Sequence, residues 1–169
     1  LRFMWTYADG RIEKERLKES MRILLDRPDL NDLVIMDLSR WKDWSVQDRV
    51  MRLSLNAMAG PEARSSNAKS IEAFSAAVIA EREASNDATD PEPVNKSSSQ
   101  TENDSDRFTR ATERAVLRYM LAARDDVPNT AVGDESETPV HVAKAHKYIA
   151  ILRKLDPKSA RVVERFYLK

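Results

Sequence analysis

The sequence predicts an α-rich α/β protein, with an N-terminal βαβα unit followed by a mostly helical C-terminal half. Two short apolar stretches, "LRFMWTY" and "DLVIMDL", carry strand patterns, and each is followed by apolar residues at helical spacing. After residue 106 every apolar pattern has the helical period.

Leu1, Phe3, Trp5 and Tyr7 alternate with Arg2, Met4, Thr6 and Ala8, which predicts a first strand ended by Asp9-Gly10. Leu17, Met21, Leu24 and Leu25 then mark one face of a helix that Pro28 stops. "DLVIMDL" is nearly continuous and predicts a second strand covered on both faces. Ser45 is the expected N-cap of the next helix, with Asp48 in its first turn and Val46, Val50, Leu53 and Ala57 along one face. This order implies a right-handed parallel crossover. Ile71, Phe74 and Val78 predict a third helix, with a short strand at "AAVIA" as the alternative. A two-stranded sheet is marginal alone. A third strand, the C-terminal helices or a homo-oligomer through the sheet edge must therefore complete it.

Residues 84–106 are rich in Ser, Asn and Asp, with six acids against Lys96. They predict a flexible acidic linker between an α/β domain of residues 1–83 and a helical region of residues 107–169. In that region Phe108, Val116, Tyr119 and Met120 share one arc, and Val127 is the last residue able to extend the helix before Pro128. A further helix carries Tyr148, Ile149, Leu152 and Leu155. Asp156 caps a last helix that has Pro157 at its first position and Val163, Phe166 and Tyr167 inward.

Composition narrows the function classes. The 169 residues have a formal net charge of zero, which argues against a general polyanion binder, and 41% are hydrophobic, enough for a core. Cysteine is absent, removing disulfides, thiolate metal sites and cysteine nucleophiles, in keeping with a reducing cytoplasm. No apolar run approaches the roughly 20 residues that span a bilayer, and the first residues lack a signal-peptide core. A cytoplasmic protein with no membrane partner is the expectation. The three glycines, Gly10, Gly60 and Gly133, cannot build a glycine-rich phosphate loop.

Asp37 ends the expected second strand, where open α/β sheets bind ligands, and Asp9 ends the first. Two carboxylates at one edge suit a cation or acid–base work, but no histidine, lysine or glycine loop stands close in sequence to complete a site. Asp37 is therefore expected to accept backbone N–H groups of the Leu38–Lys42 turn. Trp41 and Trp44, with Ser45 after them, are either partner anchors or covers for the sheet edge. Arg107, Arg110, Arg114 and Arg118 fall on one helical face, and Lys158, Arg161, Arg165 and Lys169 on another. From residue 139 onward eight Lys or Arg stand against Asp156 and Glu164. Such stripes suit an acidic protein or nucleic acid, or are solvated helix faces. His141 and His146 are five apart, which does not set two metal ligands side by side on a helix, and His141 falls on the apolar arc. Nothing here calls for a metal, a cofactor or a catalytic residue.

"YADGRIEKERLKESMRILLDRPDLNDLVIMDLSRWKDWSVQDRVMRL" resembles the STAS type of α/β domain, the anti-sigma-factor antagonists. The resemblance covers residues 1–60 and implies that Asp37-Leu38-Ser39 closes a strand and that Ser45 opens a helix as a phosphorylatable serine, with "WSVQD" where the family has "DSSG". "ILRKLDPKSARVVERFYL", residues 151–168, is similar to the first helix of sigma-factor region 4 and implies docking to RNA polymerase. The expected function is that of a non-enzymatic regulatory or protein-interaction protein, holding a protein partner through the Trp41–Ser45 loop and the basic helical face. The alternative is a transcription-associated protein that binds RNA polymerase or nucleic acid through its basic C-terminal helices.

Overall fold

The computed structural model describes residues 1–7, 10–65, 69–87, 103–127 and 138–167, with backbone only for 85–87 and 103–108. Among the described residues there is no strand and no sheet. The helices are α1 (Arg2–Tyr7), α2 (Lys14–Leu24), α3 (Asn31–Arg40), α4 (Gln47–Met58), α5 (Pro61–Ser65), α6 (Ile71–Asp87), α7 (Asn103–Asp125), α8 (Val140–Leu155) and α9 (Pro157–Tyr167), with a 3₁₀ turn at Trp44–Val46 before α4. The expected α/β class, its βαβα unit and the STAS-like α/β domain are therefore corrected to an all-helical fold. The sheet edge invoked for a homo-oligomer goes with them.

The second expected strand is α3, and burial explains the misreading. Asn31, Val34, Ile35 and Leu38 are buried, spaced three and four apart, while Leu33 is 51% exposed. The apolar run is a helical stripe with an apolar residue on its outer face, and a run this short fits either element. The first expected strand is α1. Of its alternating aromatics only Trp5 is half-buried, while Phe3 and Tyr7 are exposed and touch each other four residues apart, at 4.8 Å between rings. "AAVIA" lies within α6, and Phe74 and Val78 are buried there. Ser45 does not cap α4. It lies in the 3₁₀ turn, which Asp43 caps.

The long helix α7 is the axis of the molecule. Its 23 residues span about 34 Å, and α3, α4, α8 and α9 all pack on it. Val116, Tyr119, Met120 and Leu121 are almost fully buried, and the same core takes in Leu25, Ile35, Leu55 and Val78 from the first half and Ile149 and Leu152 from the second. The stretches read as 1–83 and 107–169 thus share one core. Of the stretch read as a linker, residues 84–87 continue α6 and 103–106 begin α7; the rest lies outside the described residues.

Two helix ends show how local chemistry sets the path. Asp156 Oδ1 accepts from the backbone N–H of Lys158 and Ser159 at 3.1 and 3.0 Å, opening α9 at Pro157 as expected. At α5 the Glu81 carboxylate reaches across from α6 and accepts from the N–H groups of Gly60, Glu62 and Ala63. A methyl on Gly60 would lie 2.1 Å from Glu81 Oε1, so any side chain there pushes this cap aside.

Candidate functional site: a polar joint and an open basic face

The stretch from Asp37 to Val46 is a joint between α2, α3 and α7. Asp37 is not at a strand end. It sits inside α3, 3% exposed, and Arg2 Nε lies 2.5 and 2.7 Å from its two oxygens while Arg40 donates at 3.2 Å. The turn donors it was expected to satisfy go elsewhere: Trp41 N–H to Asp37 O, Lys42 N–H to Ser39 O and Asp43 N–H to Leu38 O. This is a Schellman closure, and Lys42 occupies its left-handed position with φ 51°, where glycine would be unstrained.

Asp43 is the centre of the joint. Its side chain is 3% exposed and receives Arg22 through both Nε (2.7 Å) and a terminal nitrogen (3.0 Å), together with the Ser45 hydroxyl at 2.7 Å. Its carbonyl accepts the Tyr119 hydroxyl at 2.5 Å. Burial opposes ionisation of Asp43, but the bonds from Arg22 and Ser45 outweigh it and hold the carboxyl below its ordinary pKa. Burial also drives the Tyr119 phenol well above its ordinary value, with the Asp43 charge adding to it.

The indoles face inward. Trp41 is 7% exposed and stacks on Trp5 at 4.2 Å, with Lys14 over the far ring. Trp44 donates its indole N–H to Asp126 at 2.7 Å and lies against His141 and the edge of Tyr119. Lys42 bonds the same Asp126 at 2.6 Å, and this contact, with the indole, lowers the Asp126 pKa. His141 Nε2 meets the Asp126 carbonyl at 3.1 Å, and Gln47 donates to the His141 carbonyl, so His141 is half-buried joinery. His146 is exposed. A cavity of about 400 Å³ lies beside the joint, lined by Met36, Ser39, Arg40, Lys42, Trp44, Ala122, Asp125 and Asp126. Its charges are matched internally, Arg40 to Asp37, Lys42 to Asp126 and Asp125 to Arg124. No group of three potential metal ligands occurs among the described residues, and Asp9, the second carboxylate of the expected pair, lies outside them.

The basic residues of α7 and α9 are arranged otherwise. Arg110, Arg114 and Arg118 are exposed on α7, and Lys158, Arg161 and Arg165 on α9. None of these six side chains makes a hydrogen bond or ion pair among the described residues, whereas Arg2, Arg22, Arg27, Arg40 and Arg49 each meet a carboxylate. The Arg107 side chain and Lys169 lie outside the described residues. Helix α9 packs on α7, with Asp156 close enough to act on Glu113 and Tyr167 on Arg124. Burial, then the Asp156 charge, raises the Glu113 pKa, and Arg82, Arg110 and Arg114 oppose this.

Helix geometry orders this face. At about 100° per residue, Arg114 and Arg118 fall between Ala122, which lines the α3 side, and Glu113 and Arg124, which meet α9. On α9, Glu164 bonds Arg153 of α8 at 2.8 Å, and Val162 and Phe166 are exposed on the flank of α9 away from Glu164. Val163 is buried as expected, but Phe166 is 66% exposed and Tyr167 37% exposed, a correction to the inward placement of both. Reading the residues missed this pair because Val162, Val163, Phe166 and Tyr167 make an apolar arc wider than one neighbouring helix covers; that width was the available signal.

No family model, no curated protein and no solved structure matches this chain.

Proposed function

We propose that the protein is a non-enzymatic interaction protein whose α7/α9 face holds an acidic protein partner. One observation carries the reading: six cations stand exposed there and none makes a hydrogen bond or ion pair among the described residues, in a chain of zero net charge that pairs most of its other arginines. Leaving these charges solvated keeps them available, since an exposed pair contributes little to folding either way. The Trp41–Ser45 loop has the opposite character, with its indoles and hydroxyl engaged inside the fold. It takes the role of a support here and not of the contact surface. No described helix is long and apolar enough to cross a membrane.

The test uses the double variant Arg114→Glu/Arg118→Glu and a fluorescent glutamate-rich peptide. Anisotropy at low salt should show binding by the wild type that weakens as salt rises and falls at least about tenfold in the variant. Absence of wild-type binding overturns the reading. Retention on duplex DNA that exceeds peptide binding and drops linearly with log salt favours instead the transcription-associated alternative, in which residues 107–169 hold nucleic acid or RNA polymerase.

A further inference from the structure

We propose that α1 is a releasable strap over a docking groove at the end of α3, and that the groove fits a partner's helix with an arginine and a tryptophan three residues apart. None of the residues involved lies on α7 or α9, so this stands or falls apart from the acidic-partner reading. Arg2 and Trp5 are three apart and share one face of α1. Asp37 and Trp41, the latter the cap residue of α3, are four apart and share one face there. The two faces meet group by group. Arg2 Nε lies 2.7 and 2.5 Å from the Asp37 oxygens, and the Trp5 ring stacks on Trp41 at 4.2 Å with 7° between the planes. A guanidinium and an indole thus sit on a carboxylate and an indole, and α1 is itself the example of what the groove holds.

Among the described residues α1 is tied down by these two contacts and by Lys14, 5.2 Å from the Trp5 ring centre. It is six residues long and contains no buried residue; Leu1, Phe3, Met4 and Tyr7 are exposed. A cavity of about 330 Å³ lies beside it, lined by Met4 and Trp5 of α1 and by Ile12, Lys14 and Leu17 beyond, so α1 is loosely packed on that side. The groove is built differently. Asp37 is 3% exposed, Trp41 belongs to the main core, and α3 is fixed along α7. A short segment that buries little apolar surface opens at low free energy, while the packed helix beneath it stays in place. Opening leaves Asp37 with Arg40 alone and bares one face of the Trp41 ring. A helix with arginine and tryptophan in rows three or four apart restores both contacts, as helix-in-groove recognition requires. Trp41 is therefore a support while α1 is seated and a contact residue once it leaves.

The probe is a fluorescein-labelled peptide of the α1 sequence, "LRFMWTY", extended by helix-favouring alanines. The host is the full chain with Arg2→Glu and Trp5→Ala, which frees the groove and leaves Asp37 and Trp41 in place; circular dichroism checks that it stays helical. By anisotropy it should bind the peptide at least about tenfold more tightly than the wild type, whose own α1 competes. Adding Asp37→Asn to the host, or making the Arg2→Glu and Trp5→Ala changes in the peptide, should remove that gain. Equal binding by wild type and variant overturns the strap, and no binding by the folded variant overturns the groove. A second measurement needs only the wild type. Excess unlabelled peptide should displace α1 and speed amide exchange at Trp5, whose N–H bonds the Leu1 carbonyl at 2.9 Å. Unchanged exchange overturns the proposal. A wild-type mass of two chains that falls to one in the variant assigns the groove to α1 of a second copy and overturns the partner helix.

Discussion

The Asp43 joint and the α7/α9 face hold the same kinds of residue and use them in opposite ways. At the joint, carboxylates 3% exposed draw in Arg2 and Arg22 from other helices, and the Tyr119 hydroxyl is likewise spent on the Asp43 carbonyl. On the face, cations of equal charge stand exposed, and Phe166 and Val162 are exposed on the same helix as three of them. Burial decides which charges a fold needs: a buried carboxylate without its partner costs several kcal/mol, whereas an exposed arginine without one costs almost nothing. Substitution should therefore separate the two regions cleanly, through stability at the joint and through binding on the face.

The largest stability effect is expected at Asp43. Asp43→Ala leaves Arg22 Nε and the Ser45 hydroxyl without their acceptor, and urea unfolding should show a loss of about 3 kcal/mol. The pH dependence follows from the lowered pKa. A carboxyl depressed in the folded state stabilises above its unfolded value, near pH 4, and that contribution is lost as pH falls through the folded value. The gap between wild type and Asp43→Asn should accordingly narrow below about pH 4. A gap that is constant with pH would show that Asp43 acts by shape alone.

Asp37 sharpens the comparison within the joint itself. It is as buried as Asp43, but Arg2 and Arg40 are 54% and 62% exposed and rehydrate when released. Asp37→Leu should cost about 1 kcal/mol in the same titration, well below Asp43→Ala. Equal costs would mean that burial of the carboxylate, and not of its partner, sets the energy. Ser54 runs in the other direction. Its hydroxyl is fully buried in α4 with no hydrogen bond among the described residues, so Ser54→Ala should stabilise the protein by about 1 kcal/mol, read as a raised Tm.

The smallest effects test the face. Removing Arg114 and Arg118 together, as alanines, should change stability by less than about 0.5 kcal/mol. A larger loss would show that these cations hold the fold and would undercut the interaction reading.

How much of this was legible depends on range. Helices α2, α4, α8 and α9 were readable because their patterns are long enough to show a 3.6-residue period, and the Asp156-Pro157 start of α9 is a local signal. Helices α1 and α3 were not, because six or seven residues of apolar character fit a strand or a helix equally well. What made them helices is the neighbour each found: α3 lies along α7, and Trp5 of α1 stacks on Trp41. The joint was invisible for a related reason. Arg22 and Asp43 are 21 residues apart, Lys42 and Asp126 are 84 apart, and nothing local distinguishes a carboxylate that will be buried from one left in water.

The supply of charges, their helical registers and the ends of the longer helices follow from residue order alone, because periodicity and capping act within a few residues. Which carboxylates went inside and which aromatics stayed out was settled by packing. Those outcomes depend on how much apolar surface α7 had left to cover once α3, α4, α8 and α9 had taken their places, a quantity no local pattern contains.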